Sequence, residues 1–188
     1  MICFRTPVEG DYRKIAELHA NSWQENYRGT FSDDFLDNKV HRERLAVWKE
    51  RFLHPSEHQY IVLAEEEGTL LGFCCAYIDQ STYYGTYLDN LHVSTKAKRR
   101  GLGTVLIQKL IQEIRQRNAT DKLYLWVLDT NEEAINFYDT LKGRREEPIK
   151  DDDIGDAEFW KIRYVWDSLR ILEECILTKL ERYERRRI

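Results

Sequence analysis

Residues 91–104 read LHVSTKAKRRGLGT. An apolar run meets four cations in five positions (Lys96, Lys98, Arg99, Arg100), which lead directly into Gly101-Leu102-Gly103. Three uses compete for such a stretch: a nucleic-acid contact, a targeting tag, or a cradle for phosphate. The chain carries 29 Lys and Arg against 33 Asp and Glu, a net charge of −4. The positive patch is therefore local, and the protein as a whole is not a polyanion binder. On one side of the stretch, YLDNLHV reads as a strand. On the other, Leu102, Val105, Leu106, Leu110 and Ile114 recur at helical spacing, and Ile107 and Ile111 widen that face. The glycines thus stand where a strand turns into a helix. A helix start offers unpartnered N–H groups and the positive end of the macrodipole. Glycine lets a ligand come close to the backbone, and Lys and Arg add charge. Together these favour the phosphate cradle. The GxxxxGK[ST] spacing and the third glycine of a dinucleotide fingerprint are both missing.

Outward from this junction the same periodicities organise the chain. ICFRTP predicts a first strand and Asp11 to Tyr27 a helix. A short helix follows, capped by Ser32 or Asp33, and VHRERLAVWKERFL forms another. Two strands surround a Glu-Gly turn in HQYIVLAEEEGTLLGFCCAYID. KLYLWVL is apolar almost throughout and predicts a strand buried on both sides. TNEEAINFYDTL predicts a helix capped by Thr130 or Asn131, and GRREEPI and AEFWKIRYVW predict two more strands. Leu169, Leu172, Ile176 and Leu180 mark a closing helix. The order predicts an α/β domain with a mixed sheet.

With 188 residues, 42% of them hydrophobic, the chain is sized for one domain burying roughly 70% of its unfolded surface. Four cysteines, two adjacent at Cys74 and Cys75, show no metal or CxxC spacing, so reduced thiols and a cytoplasmic home are expected. No apolar run approaches the ~20 residues of a membrane span, and no signal-peptide pattern opens the chain.

Two segments carry a family resemblance. LHVSTKAKRRGLGTVLIQKL resembles motif A of the GNAT N-acetyltransferase superfamily, [Q/R]-x-x-G-x-[G/A] after an apolar strand, with Lys98 in place of Gln or Arg. LYLWVLDTNEEAINFYDTL resembles motif B at Leu123, Leu125, Val127, Asn131, Ala134, Phe137, Tyr138 and Leu141, although LKGRR stands where LGF is common. SWQENYRGTFSDDFL is similar to a subgroup with Trp and Tyr in the first helical region, and IRYVW to the family's closing strand. The resemblance covers most of residues 1–166 and implies a mostly antiparallel mixed sheet flanked by helices. Residues 167–188 are expected to form an extra C-terminal helical extension of the same domain.

The resemblance implies acetyl-CoA as cosubstrate, an amine acceptor and no metal. The pyrophosphate would lie on the N–H groups of Arg99, Arg100, Gly101, Leu102, Gly103 and Thr104, with Lys98 also among the cofactor-binding residues. The pantetheine arm would pair with the strand edge at Leu91, His92 and Val93. Tyr138 would serve the leaving thiolate, the alternative being a core aromatic. Asn131 would touch the cofactor or act only as a helix cap. The usual glutamate base is replaced by Tyr87, so Asp89, two residues on, is the candidate base or else a locally bonded strand-end aspartate. Alternation places His92 on the opposite face. Trp23, Tyr27 and Tyr87 are expected at the acceptor pocket or in ordinary packing. Alternatives are a non-catalytic acyl-CoA-binding or regulatory domain and, against the net acidity, a nucleic-acid module; a homodimer is compatible.

Overall fold

The computed structural model of the protein describes residues 1–185. In chain order the elements are β1 (Ile2–Arg5), α1 (Asp11–Asn26), α2 (Asp33–Asn38), α3 (Val40–Leu53), β2 (Gln59–Glu66), β3 (Thr69–Ser81) and β4 (Gly85–Val93). A single 3₁₀ turn (Thr95–Ala97) leads to α4 (Leu102–Gln116). Then follow β5 (Leu123–Leu128), α5 (Glu132–Thr140), β6 (Arg144–Arg145), β7 (Ile149–Asp151), β8 (Phe159–Trp166) and α6 (Leu169–Arg185). The strands form one sheet in the order β1-β2-β3-β4-β5-β8-β6, with β7 also on β8. Every adjacent pair is antiparallel except β4 with β5, which run parallel. The expected mixed, mostly antiparallel sheet with flanking helices is therefore present.

The wide apolar face of α4 covers one side of the sheet. Leu106, Ile107, Leu110, Ile111 and Ile114 pack with Val62, Cys74, Ala76 and Leu88, at roughly 1.5–3 kcal/mol per fully buried large side chain. On the other side, Ile15 and Leu18 of α1 and Trp48 of α3 pack with Ile61, Leu63, Phe73 and Cys75. Successive strand residues face opposite ways, so the adjacent Cys74 and Cys75 enter different cores; both are free and buried. The helix α6 buries Leu169, Leu172 and Ile176 in the α4 core.

Two local expectations are corrected. The segment GRREEPI is not one strand: β6 and β7 are separate two- and three-residue pieces, with Pro148, which has no N–H to give, between them. The strand β5 is not buried on both sides. Leu123, Leu125, Val127 and Leu128 are buried, but Tyr124 and Trp126 are half-buried on a face the helices leave partly open. Among the described residues no helix is long and apolar enough to cross a membrane, and no cluster of His, Cys, Asp or Glu is arranged to hold a metal ion.

Candidate functional site

The parallel pairing of β4 with β5 covers only Thr86–Leu88 against Leu123–Leu125. Beyond Leu88 the two strands part, although β4 runs on to Val93 and β5 to Leu128. The cause lies in β4. Its register against β3 steps from Cys75↔Asn90 to Ala76↔Leu88, leaving Asp89 as an extra residue. Such a bulge bends a strand and re-aims its side chains. A cleft of about 310 Å³ opens where the strands separate, lined by Leu91, His92 and Val93 of β4, Trp126 and Val127 of β5, and Phe137 and Tyr138 of α5.

The glycine loop closes one end of this cleft. Arg99 (φ +62°) and Gly101 (φ +81°) both take the left-handed conformation, and Gly101 is the N-cap of α4 with no side-chain capping bond. The N–H groups of residues 99 to 104 find no acceptor among the described residues; the ladder resumes only where Val105 N–H reaches the Gly101 carbonyl at 3.1 Å. Consecutive free N–H groups of this kind make an anion-binding concavity. A Cβ at Gly103 would stand 3.6 Å from Phe137 and 4.0 Å from Leu91, in the cleft itself.

All the residues expected at the cofactor border the cleft except Arg100. The Arg100 guanidinium turns away to Glu66 at 2.9 Å, leaving only its backbone for the loop. Lys98 spans the cleft mouth to Glu133 at 2.6 Å. Asn131 lines the cleft and caps α5, its Oδ1 accepting from Ala134 N–H at 3.1 Å.

Tyr138 lies on the inner turn of α5, 7% exposed, and its hydroxyl has no hydrogen-bond partner among the described residues. Burial pushes its phenol above the ordinary value, with Cys74, Tyr27 and Tyr164 adding to the effect. It stays a neutral O–H donor.

Asp89 borders the cleft, but its carboxylate accepts from Arg51 of α3 at 2.6 Å. The bulge also overturns the expected facing of His92. Because Asp89 is an extra residue, alternation restarts after Asn90, and His92 returns to the α1 and α3 side. There its Nδ1 is 2.8 Å from Ser22 Oγ, and its ring lies 4.4 Å from His19. Burial, with Arg44 and Lys98 nearby, pushes His92 down to about 3, so the imidazole is neutral at ordinary pH.

Of the expected acceptor residues, Tyr27 lines the cleft. Tyr87 lies on the open sheet face, stacked on Tyr124 at 5.0 Å. Trp23 is a correction: at 3% exposure it belongs to a core with Phe31, Phe35 and Leu36, capped by Arg44 at 4.4 Å. Its helical position faces α2 rather than the cleft. The sequence reading missed Trp126, Arg51 and Tyr183. For Tyr183 a signal existed, since it continues the stripe Leu169, Leu172, Ile176, Leu180 by one further step.

The model of the acetyltransferase (GNAT) family matches residues 14–142. The uncharacterized N-acetyltransferase YuaI of Bacillus subtilis is 26% identical over 181 residues, spanning 94% of this chain and 99% of that protein. The peptidyl-lysine N-acetyltransferase YiaC of Escherichia coli is 31% identical over 109 residues, 58% of this chain and 64% of that protein. Among solved structures, the PaiA N-acetyltransferase of Thermoplasma acidophilum, in complex with coenzyme A, superposes with a TM-score of 0.68 at 16% identity, covering 86% of this chain and 98% of that one.

Proposed function

Because the chain belongs to the GNAT acetyltransferase family, we propose that it moves an acetyl group from acetyl-CoA to a primary amine of a small molecule or peptide, by direct transfer in a ternary complex. One observation carries this reading: six consecutive N–H groups, at residues 99–104, without acceptors among the described residues, stand at the mouth of a split between two strands. Such a site fits a long ligand with phosphates at one end and amides along its arm.

Acetyl-CoA supplies the acetyl group as an activated thioester. The N–H groups of Arg99 to Thr104 hold its pyrophosphate. The edge of β4 at Leu91–Val93, left by β5, pairs with the amides of the arm as one strand adds to another. Tyr138 offers its hydroxyl to the sulfur as a proton donor. An alkyl amine, with a pKa of about 10, must lose a proton before it attacks; Asp89 draws the ammonium in and takes that proton directly or through water. Tyr27 and Tyr87 wall the acceptor's side.

The Arg51 guanidinium already occupies the Asp89 carboxylate at 2.6 Å and so competes with an incoming amine for it. That observation supports a second reading, a non-catalytic acyl-CoA-binding or regulatory domain. Thiol release from acetyl-CoA across a panel of amines separates the two. The enzyme reading expects turnover with at least one amine, and Asp89→Asn then lowers the rate most at low pH, where little free amine exists. Thermal stabilisation by acetyl-CoA without thiol release would leave the regulatory reading, and no stabilisation at millimolar acetyl-CoA would end both.

A further inference from the structure

The helix α6 lies outside the family match, which ends at residue 142, yet its last turns reach the glycine loop. Tyr183 borders the cleft. Its ring carbons lie 3.0, 3.3 and 3.4 Å from where a Gly101 Cβ would stand, so the ring packs against the bare Cα of the residue that caps α4. Phe137 of α5 packs over Gly103 in the same way, at 3.6 Å. The free N–H run therefore lies in a trough with an aromatic ring from α5 on one glycine and one from α6 on the other. One turn before Tyr183, the Lys179 ammonium lies 5.6 Å from the centre of the Phe137 ring, bringing a cation to the outer rim of the trough. Burial, then Arg182, lowers its pKa. Arg182 and Arg185 place further positive charge in the last turn of α6, where the helix dipole is negative and would otherwise repel phosphate.

We propose that the end of α6 is part of the coenzyme site: the Tyr183 ring walls the nucleotide end of the ligand, and the Lys179 ammonium attracts its phosphates from the rim. The inference rests on the acetyl-CoA reading and adds to it a contact from an element beyond the matched family region. The ligand class it selects is a nucleoside carrying several phosphates, joined to an arm that enters the cleft.

The test is calorimetric binding of coenzyme A and of adenosine 3′,5′-bisphosphate to the full chain, with thermal melts to confirm folding. Tyr183→Ala is expected to weaken both ligands about tenfold, the scale of losing one aromatic wall from a nucleotide, and Tyr183→Phe to restore both. Lys179→Ala is expected to weaken both about threefold at low salt, with the difference vanishing at high salt as screening removes the charge effect. Unchanged or tighter binding by a folded Tyr183→Ala protein overturns the proposal; tighter binding would make the ring a plug. If Tyr183→Ala does not fold, Lys179→Ala decides, and unchanged affinity at low salt overturns the proposal. A wild-type chain that binds neither ligand would instead refute the acetyl-CoA reading itself.

Discussion

Two helices begin at the rim of the same cleft and are built in opposite ways. The start of α5 is finished by its own residues: Asn131 caps it, and Glu132 and Glu133 place negative charge in its first turn. The start of α4 is left unfinished, with a glycine at the cap, no capping side chain and no acid in its first turn. A glycine cap forfeits only a few tenths of a kcal/mol relative to Ser, Thr, Asp or Asn. Here that loss leaves donors and dipole available to a ligand, whereas at α5 both are already satisfied. On the proposed reading the two helices do different work, α4 holding the phosphates and α5 presenting Tyr138 to the chemistry.

The largest effect should come from finishing α4 with the wrong charge. Gly103→Asp places a carboxylate in the cleft among the free N–H groups, with ordinary contact distances to its neighbours. Coenzyme A affinity is expected to fall on the order of 100-fold or more, with little change in melting temperature; retained affinity in calorimetry would place the phosphates elsewhere. On α5, Tyr138→Phe keeps the ring and removes the donor. If the hydroxyl acts mainly in the transition state, as proposed, turnover is expected to fall on the order of 10²-fold, with coenzyme binding nearly intact. Steady-state kinetics together with binding checks this, and an equal loss of both would erase the division of labour. Asn131→Ala removes the α5 cap and is expected to cost about 1 kcal/mol of stability in denaturant unfolding, far more than it changes coenzyme affinity. The smallest effect is expected from Glu132→Gln with Glu133→Gln. Removing the acids that neutralise α5 should tighten coenzyme binding about two- to fivefold at low salt; weaker binding would mean that the Lys98–Glu133 bridge helps to shape the cleft.

Much of this arrangement was legible in the sequence because it is periodic or chemically marked. The switch from period two in YLDNLHV to helical spacing after Gly103 located the α4 junction, and Asn131 before a helical run located the α5 cap. The bulge at Asp89 was not legible. One extra residue leaves no compositional mark, yet it turns His92 to the other face and re-aims β4 from Asp89 onward. Tyr124 and Trp126 misled in a different way: they count as apolar in a run, but their polar tips let them line an open face. The helical spacing of α6 was visible, but where a terminal helix docks depends on contacts far away in the chain, here Gly101 for Tyr183.

The three-residue joint between β4 and β5 has a mechanical consequence. In the sheet, β1 to β4 lie on one side of it, and β5 with β6 to β8 on the other. The middle of the sheet is thus thinly stitched, although the centre of a sheet is usually its most protected region. The helix α6 leaves β8 and lies on α4, strapping the far half back across the gap. On the proposed reading, a ligand arm lying along Leu91–Val93 would supply the rungs that β5 withholds and become a structural member of the sheet. Amide hydrogen exchange along that edge should slow on occupancy, and the two halves should then open as one unit.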